Sequence, residues 1–288
     1  MMFAKNFVST IKNLLRSKTF WMCLVLYGII IVWDTTKVHF SRFDFDLMME
    51  ILDTDPRFVL GQKTFYKLLG NTPELITKYL HPLVMIFLTS IIVTRDYNDR
   101  FFELEKASGI KPSVYLLSRI TALISLGYLV LVIASMVSVH VYVATRGGVD
   151  GVGLWDYITD STVRILWLTF FKGLPCTIFF ICVTYAVGAL AKNSIAATIV
   201  PSIYTFAVYF HDLQTAANNG ILLEYLCHYP TKVIKFFYFY KVPGENHEKF
   251  CRIFGTSLGD VVLCIGFLVG VSAIGCVISY LRVRKRNT

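Results

Sequence analysis

Nineteen carboxylates, six histidines and seven cysteines carry most of the chemistry open to this 288-residue chain, and their spacing commits to very little of it. Two histidines bracketing a glutamate, His-Glu-x-x-His, would set zinc ligands on one helical face beside a general base, and the sequence has no such run. Cys176 and Cys182 stand six apart and the other cysteines are scattered, which fits no metal pattern. A Gly-x-x-x-x-Gly-Lys-Ser/Thr loop, whose backbone N–H groups would cradle phosphates, is absent, so the chain is not expected to bind ATP itself in the usual way. His140 and His81 lie in apolar surroundings, where a lone histidine more often makes a hydrogen bond between helices than carries protons. Cys227 and Cys251 fall in one loop and can either form a disulfide or remain two thiols.

The elements that must position these groups are set by hydrophobicity. The chain is 55% hydrophobic and only 16% charged, too few polar residues to cover a water-soluble globule. Six stretches are almost free of charge: Thr19–Trp33, Tyr79–Thr94, Ile120–Thr145, Gly173–Ala191, Asn193–His211 and Val261–Leu281. A bilayer core of about 30 Å takes roughly 20 apolar residues per helix, so the two short stretches borrow flanking residues and the fourth reaches back towards Ile165. Leu126–Val143 is continuously apolar, whereas barrel strands alternate, so the spans are read as helices. The first is a retained span, because the bulky, charged Trp33-Asp34-Thr35-Thr36-Lys37 offers no signal cleavage site. No acidic residue lies inside any of the six, which weighs against an ion-coupled carrier.

Six spans put both termini on one side, with residues 1–18, 95–119, Lys192 and 282–288. That side holds fourteen of the twenty-eight basic residues but four of the nineteen acidic ones, a net charge of about +10 against about −1 opposite. Lys and Arg in short loops mark the cytoplasmic face, so both termini are expected in the cytoplasm of a multi-pass protein of the cell membrane. The overall charge of +9 then reports topology and contact with anionic membrane lipids. No basic-aromatic module points to nucleic acid.

Between the spans, residues 3–18 are amphipathic. At about 100° per residue Phe3, Phe7, Ile11, Leu14 and Leu15 share a face opposite Lys5, Lys12 and Arg16, the pattern of an interfacial helix whose apolar side meets the membrane, in preference to a plain extension of the first span into the cytoplasm. Residues 95–112 form a cytoplasmic segment that reads as a short helix from Asn98 to Ala107, stopped by Gly109 and Pro112. Its charges and the Phe101-Phe102 pair suit a notch on a soluble partner, or a solvated loop with its phenylalanines in the membrane surface. Residues 34–78 and 212–260 are outer loops. The run Phe236-Phe237-Tyr238-Phe239-Tyr240 in the second is too short to span and suits the outer interface or the exit of a greasy path.

In its order of segments the chain resembles the permease subunit of the type-2 ABC exporter family. The order is an elbow helix, two spans, a cytoplasmic connecting helix, four more spans with a large last outer loop, and a basic tail. At residue level the likeness rests on Asp96, Glu103, Ala107-Ser108-Gly109-Ile110 and Tyr115-Leu116-Leu117-Ser118-Arg119. Glu105 stands where an apolar residue is usual, and Phe101-Phe102 where small residues are common. The resemblance implies one all-α transmembrane permease domain over 1–288, with six helices, an N-terminal elbow helix and a coupling helix. It implies pairing with a second permease copy or a related chain, and docking on a separate ABC-class ATPase that carries the ATP and Mg. Asp96, Asp99, Arg100, Phe101, Phe102, Glu103 and Lys106 would be the docking residues. The chain itself would be a transport subunit without catalytic residues or cofactors, exporting an amphipathic or hydrophobic substrate, a peptide in preference. A membrane-anchored accessory protein and a membrane enzyme acting on lipid or peptide are the alternative readings.

Overall fold

The computed structural model describes residues 2–37, 80–97, 109–146, 162–163, 166, 169–214, 237–241, 248–252 and 258–285. These residues form seven α-helices: α1 (Met2–Leu15), α2 (Lys18–Lys37), α3 (His81–Tyr97), α4 (Pro112–Arg146), α5 (Leu174–Ala191), α6 (Ser194–Gln214) and α7 (Leu258–Lys285). A π-turn over Thr169–Gly173 leads into α5. Among the described residues three helical stretches, Pro112–Val137, Leu174–Ala191 and Ile265–Lys285, are long and apolar enough to cross a membrane. A fourth is gained if α1 and α2, bent by 66°, are taken as one broken span.

The helix boundaries follow local chemistry. Gly109 takes φ +76°, which an L side chain resists, and Pro112 opens α4 at a position whose N–H needs no partner. The helix therefore begins eight residues before the expected span at Ile120 and runs 35 residues, about 52 Å at 1.5 Å per residue. That exceeds the roughly 30 Å of a bilayer core. At the far end of α5, Lys192 adopts the left-handed conformation and its N–H returns to the Gly188 carbonyl, closing the helix. Asn193 then caps α6 by accepting the Ile195 N–H at 2.8 Å. The expected tight turn at Lys192 is thus a C-cap joined directly to an N-cap.

The hub is α5. Cys176, Thr177, Phe179, Phe180, Ile181, Cys182, Thr184, Tyr185, Ala186, Gly188 and Ala189 are buried all round its circumference, as an apolar helix without a polar stripe requires. It is packed by α7, α3, α6 and α4, while α1 and α2 lean mainly on α4. Small residues set the closest approaches. A Cβ on Gly188 would collide with Val93 of α3 and meet Ala197 of α6, and one on Gly127 of α4 would collide with Met85 of α3. The outward faces remain apolar: Trp21, Met22, Val25 and Ile29 on α2, and Val262, Ile265, Val269, Ile274 and Val277 on α7. That much continuous apolar exposure belongs to a protein whose surrounding solvent is lipid.

The chain is not wholly helical. Strands β1 (Phe237–Lys241) and β2 (Glu248–Arg252) pair antiparallel, Tyr238 opposite Cys251 and Tyr240 opposite Lys249. The aromatic run expected at the interface or along an exit path is thus a strand, as a series of alternating Phe and Tyr favours. Cys251 sits on β2, and its suggested partner Cys227 lies outside the described residues.

Candidate functional site

The ends of α3 and α4 meet at a buried polar cluster. Asp96 occupies the last turn of α3 and Arg119 the third turn of α4, each 2% exposed, with Nη2 of Arg119 3.5 Å from Oδ1 of Asp96. The Tyr185 hydroxyl, from α5, donates to Oδ2 of Asp96 at 2.6 Å. The other arm of the guanidinium, Nη1, donates to Oγ1 of Thr10 at 2.9 Å, and Thr10 in turn donates to the Asn6 carbonyl one turn back along α1 at 2.8 Å. The guanidinium carbon lies 5.1 Å from the centroid of the Tyr115 ring, a cation–π distance. Tyr115 packs with Val283 near the end of α7 and with Ile110. One ion pair therefore joins α1, α3, α4 and α5, and Tyr115 extends the contact to α7.

Arginine suits this position because its planar fork can face two partners at once, a carboxylate on one helix and a hydroxyl on another. Two charges removed from water cost several kcal/mol each unless they are paired and hydrogen-bonded, and the Tyr185 and Thr10 contacts supply that support. The cluster fixes where the last turn of α3 and the first turns of α4 stand relative to α1 and α5. Asp96 and Arg119 flank residues 97–118, and the expected connecting helix over 98–107 falls between them. Of the expected docking residues, Asp96 is turned inward into this cluster, away from any docking surface. Asp99, Arg100, Phe101, Phe102, Glu103 and Lys106 lie outside the described residues.

Helix α1 forms over Met2–Leu15, and the stripe it turns to the bundle is not the apolar one. Its bundle-facing stripe is Asn6, Thr10 and Leu14, spaced by four. Phe3 and Leu15 are each 40% exposed, and Phe7 and Ile11 are partly buried. Of the five residues expected to face the membrane, Leu14 is corrected: it is fully buried against the bundle, because the inward stripe is rotated roughly 70° from the apolar one. Helix α1 thus has two faces, one apolar and one that matches its protein neighbour. The corner to α2 is stitched by Trp21, whose Nε1 donates to the Leu15 carbonyl at 2.7 Å.

At the opposite end of α3, Nε2 of His81 lies 2.8 Å from Oγ1 of Thr177, and Thr177 donates to the Gly173 carbonyl at the end of the π-turn. His81 is 1% exposed, so it makes the interhelical bond expected of it. His140 is within α4, its side chain outside the described residues. Among the described residues no group of three or more His, Cys, Asp or Glu side chains could hold a metal ion.

Two members of the cluster, Thr10 and Tyr185, were not legible in the sequence, and neither was the role of Arg119. Thr10 and Tyr185 carry no pattern of their own, and Arg119 counts only as a basic residue at a span boundary. The signal available was an acidic and a basic residue closing the two ends of one cytoplasmic connection. Gly255-Thr256-Ser257-Leu258-Gly259 also fits the letters of a nucleophile elbow, Gly-x-Ser-x-Gly. Such an elbow stands between a strand of a parallel sheet and a helix, whereas the strand before it here, β2, belongs to a two-stranded antiparallel hairpin. Comparison with family models found none that matches the chain, and comparison with characterised proteins likewise gave no match.

Proposed function

We propose that the chain is the permease subunit of an ATP-driven exporter, energised by a separate ABC-class ATPase and paired with a second permease copy in the cell membrane. In this reading α2 to α7 are six spans, α1 is the interfacial elbow and both termini are cytoplasmic. The observation that carries it is the Asp96–Arg119 pair, which ties together the two ends of the 98–107 connection and binds both to α1 and α5.

The mechanical consequence is direct. A lever is useful only if its fulcrum does not give. Force applied to a connection whose ends are free would bend α3 and α4 independently. With the ends clamped, displacement of the connection moves α3 and α4 together and reaches α5 through Tyr185 and the elbow through Thr10. Closure of an ATPase pair on bound nucleotide would supply that displacement, and rearrangement of the packed helices would be the response. Asp99, Arg100, Phe101, Phe102, Glu103 and Lys106 then serve as the docking residues, with Asp96 holding their base. ATP and Mg belong to the partner. The substrate class favoured is amphipathic or hydrophobic, a peptide first, moved out of the cytoplasm or the inner leaflet.

The test is the double substitution Phe101→Ala with Phe102→Ala. The variant is expected to insert and remain monodisperse while losing the permease-dependent part of ATP hydrolysis in the reconstituted complex. Hydrolysis and export at the level of the unsubstituted complex would remove the docking assignment.

A further inference from the structure

Two thiols meet where α5 crosses α7. Sγ of Cys182 lies 3.6 Å from Sγ of Cys276, and both cysteines are free. The approach is set by the backbone as well as by the side chains: a Cβ on Gly275 would stand 2.9 Å from the Cys182 carbonyl oxygen and 3.5 Å from the Cys182 Cβ. These helices form the most extensive packed pair in the bundle, so the crossing is held from both sides of the thiols. Cys182 is central in α5 (Leu174–Ala191), and Cys276 is central in the apolar stretch Ile265–Lys285. The two sulfurs therefore share one depth near the middle of the bundle. Cys182 is 2% exposed and Cys276 is half-buried, so a reagent arriving from outside meets Cys276 first.

Two buried thiols in a helical bundle ordinarily act as small apolar side chains. This pair has a further property. A disulfide needs about 2.05 Å between sulfurs, so closure asks for about 1.5 Å, within the reach of side-chain rotation across a crossing already this close.

We propose that Cys182 and Cys276 are a reversible disulfide site, oxidised by peroxides that dissolve in the hydrocarbon layer, lipid hydroperoxides being the class that concentrates there. The Cys276 sulfur attacks the terminal peroxide oxygen; the O–O bond breaks, leaving a sulfenic acid on Cys276 and releasing the alcohol. The Cys182 sulfur then attacks the Cys276 sulfur, the S–S bond forms, and the hydroxyl leaves as water with the Cys182 proton. Two thiols lose two electrons and one peroxide gains them. A dithiol reductant returns the pair to thiols and becomes a disulfide itself. The product joins α7 covalently to α5, removing any sliding between the hub and the last helix.

The experiment uses the full chain in phosphatidylcholine nanodiscs, treated with cumene hydroperoxide, then denatured, alkylated, digested and read by tandem mass spectrometry. A Cys182–Cys276 linked peptide is expected as the main oxidation product, lost on treatment with dithiothreitol. Gly275→Ala forces the crossing apart without touching either sulfur and is expected to cut the linked yield at least five-fold, with size-exclusion behaviour confirming that the variant folds. The proposal is overturned if Cys276 proceeds to sulfinic acid while Cys182 stays alkylatable, or if both thiols survive the peroxide unchanged. Because the primary reading is made on the unsubstituted chain, a variant that misfolds does not leave the question open.

Discussion

Replacing Asp96 by alanine tests the clamp at its most exposed point in energetic terms. The substitution leaves Arg119, 2% exposed and held by Thr10, without the carboxylate 3.5 Å from it, and deprives the Tyr185 hydroxyl of its 2.6 Å acceptor. Removing one partner of a buried ion pair costs about 3–5 kcal/mol because the other charge stays in a medium that does not solvate it. A buried hydroxyl left unsatisfied costs about 1–3 kcal/mol, but the two losses belong to one network and overlap. The expected destabilisation is therefore about 3–5 kcal/mol, a large share of a typical folding free energy of about 5–15 kcal/mol. Arg119→Met should cost a similar amount. The double variant Asp96→Ala with Arg119→Met should cost at least about 2 kcal/mol less than the sum of the singles, since it buries no lone charge. The assay is reversible unfolding by sodium dodecyl sulfate titration in mixed micelles, followed by tryptophan fluorescence. A single variant within about 0.5 kcal/mol of the unsubstituted protein, or two singles that simply add, would refute the clamp.

Three smaller tests address the rest of the frame. His81→Phe and Thr177→Val each remove the second tie between α3 and α5, and each should cost about 0.6–1.7 kcal/mol in the same titration, with the double variant no worse than the larger single. Gly188→Val puts branched carbon where Val93 and Ala197 already stand, and should destabilise by about 1–3 kcal/mol or force α6 away from α3, visible as loss of a monodisperse species. Trp21→Phe keeps the ring but loses the bond to the Leu15 carbonyl, so amide exchange around Arg16–Trp21 should quicken by roughly tenfold, the equivalent of about 1.4 kcal/mol. Unchanged exchange there would mean that the corner is held by packing alone.

What could be read in the sequence was whatever rests on apolar length and on backbone punctuation. The apolar stretches are helices, Gly109 and Pro112 break the chain ahead of α4, and Lys192 turns it between α5 and α6, because each depends on residues close in sequence. The charge-free stretch starts at Ile120 and the helix at Pro112, because the loss of charge marks an apolar stretch and not the whole helix that contains it. The inward face of α1 was misjudged for a related reason. Amphipathicity finds the apolar stripe, whereas the protein-facing one is chosen by the partner, here an arginine at position 119 that selects Thr10. The clamp joins positions as far apart as 10, 96, 119 and 185, and no local pattern encodes that meeting. His81 could be given its role in advance, since a solitary polar group in an apolar helix has few uses besides a bond to its neighbour. The β1–β2 hairpin was hidden by the aromatic content of its first strand, which is equally at home at a membrane interface.

The central claim is that another chain supplies the energy. The direct measurement is to tag the C-terminus, extract native membranes in mild detergent and identify every stoichiometric partner by mass spectrometry. The account predicts a soluble chain with a phosphate-binding Gly-x-x-x-x-Gly-Lys-Ser/Thr loop at one-to-one stoichiometry. Recovery of this chain without such a partner, under extraction that keeps known membrane complexes intact, would contradict it.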